Sequence, residues 1–147
     1  MKTDLVVAGY IFYKNKVLLI HHIKQNLWLP VGGHIETNET PDEALKREVK
    51  EETGLDIQIL NFPDIKPSNN VKYFLATPFA VNVHTVGDHD HCCFFYVCEA
   101  TSDKCIPKTD EIHDAEWFTK EELSDARIID EVRQGATKAF ELYEQLL

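Results

Sequence analysis

The chain has no run of basic residues, no apolar run long enough to cross a bilayer, and no C-x-x-C pair. Each absence removes a class of function. Polymeric nucleic acid is held chiefly by Lys and Arg against phosphate, and here 15 basic residues stand against 25 acidic ones, a formal charge of −10. That balance argues against a DNA- or RNA-binding module. It does not exclude a small phosphorylated substrate, because bound divalent cations would carry the positive charge to it. A spanning helix needs about 20 consecutive apolar residues, so no membrane partner is expected. The N-terminus is short of basic residues and its apolar run carries Gly9 and Tyr10 in a strand-like pattern, so no signal peptide is read and the expected location is cytoplasmic. Cys92, Cys93, Cys98 and Cys105 are then expected to be reduced, the first three within a buried strand.

Nor is there an internal repeat, a low-complexity segment or a linker. The 147 residues, 44% hydrophobic, fit a single domain over 1–147 with a core of its own. Leu5 to Tyr13 and Val17 to Ile23, rich in β-branched and aromatic residues, read as a hairpin turning at Lys14-Asn15-Lys16. Leu27 to Gly33 leads into a short strand, His34-Ile35-Glu36, and Thr37-Asn38-Glu39 turns the chain into a helix. Leu55 to Phe62, Val71 to Ala76, Phe79 to Val86, Cys92 to Ala100 and Glu111 to Phe118 read as strands, with Gly87-Asp88-His89-Asp90 as a hairpin turn. Pro63 to Asn70 and Thr101 to Asp110 read as polar loops. Lys120 to Ala126 and Ile129 to Leu147 read as helices, the second with Val132, Ala136, Ala139, Phe140 and Tyr143 on one face.

The central helix carries its own start and stop. Thr40 is the N-cap, Pro41 fits the first turn, Glu43 stands at capping-box spacing, and Gly54 supplies the left-handed residue that ends the helix. Ala44, Leu45 and Val49 form its apolar side, and Arg47 is placed to reach Glu43 and Glu51 at i±4. At 100° per residue, Glu48, Glu51 and Glu52 share an arc about 100° wide. Carboxylates so close repel one another, which suggests a compensating cation. Ligation by oxygen alone favours Mg²⁺ or Mn²⁺. For three glutamates in isolation, a solvated acidic face would be the preferred reading.

The spacing of the whole stretch decides otherwise. Gly33, five residues, Glu39, seven residues, then Arg47-Glu48-Val49-Lys50-Glu51-Glu52-Thr53-Gly54-Leu55 matches the Nudix box at every fixed position, and the chain resembles a MutT-like Nudix hydrolase. The resemblance extends beyond Gly33 to Leu55 in the order of strands and in the closing Trp117-Phe118. It implies an α/β fold, a Nudix α/β/α sandwich with a mixed sheet between helices. It also implies a Mg²⁺-dependent pyrophosphohydrolase cleaving a nucleoside diphosphate linked to another group, a small-molecule nucleotide partner, and a homodimer as an open question.

The resemblance further implies roles. Glu48 is the first choice as general base, with metal binding also open to it, and Glu51 and Glu52 are metal ligands. Arg47 and Glu39 form an ion pair that fixes the loop against the helix. A backbone carbonyl of Gly32 or Gly33 joins the metal site. An acid from a later loop completes it, for which Glu111, six residues before Trp117, fits best among Asp103, Asp110 and Asp114, with an ordinary surface carboxylate as the alternative. Nucleoside triphosphates, including oxidised ones, lead the substrate classes, ahead of dinucleoside polyphosphates and nucleotide sugars. The other classes considered are a nucleotide-sensing module that does not turn over, and a prenyl diphosphate isomerase, which would need a suitably placed Cys and Glu that Cys92 or Cys93 does not establish.

Two features stay outside the box. His84, His89, His91 and Cys92 invite a transition-metal reading, but no ligand motif accompanies them, and a hairpin-tip cluster that is merely exposed or that touches substrate is the expected reading. Tyr10, Phe12, Trp28, Tyr73, Phe74 and Phe79 offer a stacking surface for a base, although aromatics in strands more often belong to the core.

Overall fold

The computed structural model describes residues 2–108 and 110–147. The chain begins with β1 (Thr3–Tyr13) and β2 (Lys16–His22), a hairpin whose two turn residues, Lys14 and Asn15, both have positive φ, as a two-residue turn between twisted strands requires. Next come β3 (Leu27–Leu29), β4 (Val31–His34) and helix α1 (Pro41–Thr53), followed by β5 (Ile57–Ile59), β6 (Ala80–Thr85), β7 (Asp90–Ala100) and β8 (Ile112–Phe118). A single 3₁₀ turn over Glu121–Ser124 precedes helix α2 (Asp130–Leu146).

The strands form one mixed sheet. β1 and β7 run parallel at its centre, from Thr3 opposite Asp90 to Phe12 opposite Glu99, and every other pairing is antiparallel. Alternation along β1 sends its side chains to two cores. Val7 and Ile11 join Ala44, Leu45 and Val49 of α1, whereas Tyr10 and Phe12 join Ala136, Ala139, Phe140 and Tyr143 of α2. Helices therefore cover both faces, and the fold is the expected α/β/α sandwich. No helix among the described residues is long and apolar enough to cross a membrane.

Several boundaries differ from the sequence reading. Leu55 to Phe62 contributes only the three residues of β5, and Val71 to Ala76 is not a strand. The reason is an occupied edge: one side of β7 is taken by β1, and the other is shared by β6 along Asp90–Phe95 and β5 along Cys98–Ala100. The segment finds no place on β7 and stays irregular, and Tyr73 is 60% exposed. β4 ends at His34, so Ile35 and Glu36 belong to the loop before α1, and Lys120 to Ala126 condenses to the 3₁₀ turn. In the 101–110 loop, Thr109 lies outside the described residues. Tyr10, Phe12 and Trp28 are core residues rather than a stacking surface. Cys93 and Cys98 are buried as expected, while Cys92 is partly exposed.

Candidate active site

Helix α1 is set by local chemistry. Thr40 Oγ1 accepts from Glu43 N at 3.2 Å while Glu43 Oε1 accepts from Thr40 N at 2.9 Å, a reciprocal cap of about 1 kcal/mol. Glu43 is thereby committed to the cap and does not pair with Arg47. Gly54 closes the helix at φ 74, and its N–H donates to Lys50 O. Ala44, Leu45 and Val49 are fully buried against the sheet, which fixes the helix's rotation. The arc bearing Glu48, Glu51 and Glu52 is thus aimed at β4 on one side and at the 101–111 loop on the other.

β4 approaches that arc without side chains. A β-carbon at Gly33 would overlap the carboxylate of Glu48, and one at Gly32 would overlap the backbone of Val7. Only glycine at both positions lets the strand pass between β1 and the acids. The Gly32 backbone also draws the Glu52 pKa down, against the burial that raises it.

Arg47 ties the preceding loop to the helix. Its Nε donates to Glu39 Oε2 at 2.7 Å and its Nη2 to Glu39 Oε1 at 3.0 Å, a bidentate pair. Nη2 also donates to His34 O at 2.9 Å, and Nη1 to Glu48 Oε1 at 2.9 Å and Glu51 Oε2 at 3.3 Å. Glu39 Oε1 in turn accepts from Glu36 N at 3.0 Å. The guanidinium holds Glu39 below the usual carboxylate range, and Glu39 is the first cause of the elevated pKa of Arg47.

The acids sit in unequal surroundings. Glu51 is 52% exposed on its side chain, whereas Glu52 is only 3% exposed and its Oε1 is buried without a hydrogen-bond partner. Burial pushes Glu52 up to about 8, helped by the charges of Glu48, Glu111 and Glu51. Burial also raises Glu48, against the opposing pull of Arg47. The loop after β7 docks on the end of α1 through Ile106 N to Thr53 O at 2.9 Å and Lys108 N to Glu52 O at 3.0 Å. That docking brings Glu111 near enough to act on both Glu48 and Glu52.

Lys108 was not foreseen. Its Nζ lies 3.6 Å from Glu111 Oε1, and Asp110, Glu111 and Glu51 raise its pKa. It places a cation at the rim of the acidic cluster. No motif marks it, because its position follows from the docking of the loop.

This arrangement suits a hard divalent cation. Glu48, Glu51 and Glu52 of the helix, with Glu111 acting on them from the loop, offer oxygen donors only, although their carboxylates are not drawn together within 4.8 Å as those of a preformed group would be. The buried, unpartnered Glu52 Oε1 is a polar atom for which the protein supplies no partner, an omission that a cation would make good. His84, His89 and His91 lie elsewhere, on the opposite face of the sheet from α1.

A family model for the NUDIX domain matches residues 2–142. The proteins named NAD-capped RNA hydrolase NudC from Vibrio atlanticus and Pasteurella multocida are 28% and 33% identical over 113 and 106 residues, or 76% and 70% of this chain. The chain spans about a third of the length of these curated relatives, 35% and 33%. The crystal structure of a NUDIX-family hydrolase from Clostridium perfringens superimposes with a TM-score of 0.85 at 35% identity, covering 97% of this chain and 99% of that one.

Proposed function

This chain belongs to the Nudix family of hydrolases, and from that premise we propose that it is a Mg²⁺-dependent pyrophosphohydrolase in which water attacks a phosphorus of a nucleoside diphosphate derivative. The observation that carries the reading is Glu52: a buried carboxylate with one oxygen unpartnered, on a helix that it shares with Glu48 and that Arg47 locks, with Glu111 acting on it from the loop before β8.

In this proposal Glu48, Glu51, Glu52 and Glu111, with a backbone carbonyl of Gly32 or Gly33, hold Mg²⁺, or Mn²⁺ in its place. When bound, the divalent cation neutralises phosphate charge and makes water more acidic. Glu48 accepts the proton of the attacking water. Its raised pKa makes it a stronger base than an ordinary carboxylate. The hydrogen bond from Arg47 holds one of its oxygens at 2.9 Å and orients the other. Glu39 keeps Arg47 in place and so acts through it. Lys108 offsets acid repulsion at the rim and meets the entering phosphates.

Nucleoside triphosphates, oxidised ones included, are the leading substrates, on the MutT-like character of the stretch Gly33 to Leu55. The names of the curated relatives favour a second reading, a pyrophosphate joining two nucleosides as in an NAD cap. With a charge of −10 and no basic run, recognition on this chain would center on the capping nucleotide rather than on an RNA backbone.

The test is a panel of nucleoside triphosphates, oxidised triphosphates, dinucleoside polyphosphates, nucleotide sugars, NAD and NAD-capped oligonucleotide, incubated with Mg²⁺ with and without chelator. Chelator-sensitive cleavage of one class supports the proposal and identifies the substrate. Tight binding of one member with no turnover of any would replace it with a nucleotide-sensing role.

A further inference from the structure

At the end of the sheet where β1 begins, three strands and a turn bring together four side chains unrelated to the acidic cluster. Asp4 of β1 is opposite His91 of β7, which is opposite His84 of β6. Paired residues share a face, so these three project to one side. His34 arrives from β4, which pairs with the other edge of β1, and His89 comes from the β6–β7 turn. Asp4, His34, His89 and His91 each place one ligating atom so that all four lie within 4.8 Å of one another.

Their spacing resembles a coordination shell. A tetrahedral ion with bonds of 2.0–2.1 Å holds its ligand atoms about 3.3 Å apart. Here His89 Nε2 is 3.2 Å from His91 Nε2, His34 Nε2 is 3.2 Å from Asp4 Oδ2, and His89 Nε2 is 3.5 Å from Asp4 Oδ2. A carboxylate stands behind one imidazole: Asp88 Oδ1 lies 2.7 Å from His89 Nδ1. With the proton on Nδ1, the lone pair of Nε2 points into the cluster, the arrangement by which outer carboxylates orient metal-binding histidines. Three imidazoles and one carboxylate select a borderline ion such as Zn²⁺ and not Mg²⁺, which prefers oxygen.

We propose that Asp4, His34, His89 and His91 bind one divalent ion of the Zn²⁺ class on the face of the sheet opposite α1, stapling β1, β4 and the β6–β7 turn. The site is separate from the acidic cluster yet shares β4 with it. Gly33 faces Glu48 and the next side chain, His34, faces the other way, while His34 O accepts from Arg47 Nη2 at 2.9 Å. The ion would therefore anchor the strand that backs the acids. Cys92 is not a ligand. It neighbours His91 along β7, so its side chain points to the opposite face.

The experiment uses the full chain stripped with chelator and returned to saturating Mg²⁺, then titrated with Zn²⁺ calorimetrically and with Co²⁺ by visible absorption. The expected result is one equivalent of Zn²⁺, a rise in Tm on binding, and an intense tetrahedral Co²⁺ spectrum without thiolate charge transfer. His91→Gln and Asp4→Asn should each weaken Zn²⁺ binding about tenfold or more while keeping the wild-type circular dichroism. Glu52→Gln should leave the equivalent intact. The proposal is overturned by no stoichiometric binding, by affinity equal to wild type in both His91→Gln and Asp4→Asn, by loss of the equivalent in Glu52→Gln, or by a thiolate Co²⁺ spectrum. Two variants on different strands separate ligand loss from misfolding, since a staple that fails in both with native circular dichroism is a lost site.

Discussion

Gly33 lies so close to Glu48 that a β-carbon at position 33 would overlap the Glu48 Cδ and both carboxylate oxygens. The strand and the helix are therefore matched at this one point by the absence of a side chain. Gly33→Ala must displace the Glu48 carboxylate, because the backbone of β4 is held in its ladder with β1. A displacement of about 1 Å in a catalytic group costs on the order of 10²-fold in rate. Steady-state kinetics should show that loss in kcat, and unchanged kcat would remove Glu48 from the proposed mechanism.

Glu52 links metal, pH and stability. In metal-free protein its pKa rises from an ordinary 4.5 to about 8. Between those values the folded chain binds more protons than the unfolded one, so this group's contribution to stability falls as pH rises from about 5 to 8. Glu52→Gln removes the titration. Chelated wild type should thus lose Tm relative to Glu52→Gln across that window, with other groups cancelling in the comparison. With Mg²⁺ present, the same substitution should lower kcat on the order of 10²–10³-fold. Parallel melting curves for the two chelated proteins would contradict the burial argument, and full activity would remove the metal assignment.

Arg47 makes four kinds of hydrogen bond at once, to Glu39, Glu48, Glu51 and the carbonyl of His34. A lysine has three donors on one point and cannot reproduce this fork. Arg47→Lys is expected to weaken Mg²⁺ dependence or activity about 10–100-fold while the fold persists. The check is the Mg²⁺ concentration giving half-maximal turnover, with circular dichroism as control.

Glu111 reaches the cluster from a loop, not from the helix. Glu111→Gln should reduce activity less than Glu52→Gln and raise the Mg²⁺ requirement. A Mg²⁺ titration indistinguishable from wild type would exclude it as a ligand.

Much of the site could be read along the chain because its geometry is local. The cap of Thr40 and Glu43, the stop at Gly54, and the common arc of Glu48, Glu51 and Glu52 all follow from positions three or four apart on a helix. The pairing of Arg47 with Glu39 also spans only eight residues. Other features depend on which strands find one another. Val71 to Ala76 has a strand-like composition yet finds no place on β7, since β5 and β6 already occupy that side of it. The burial of Glu52 and the approach of Glu111 follow from a loop docking on the end of α1. The meeting of Asp4 and His34 with His89 and His91 requires the parallel register of β1 against β7, between residues more than fifty positions apart in the chain. Helical periodicity places neighbours from spacing alone, whereas sheet pairing brings distant residues together through hydrogen bonds that no local pattern encodes.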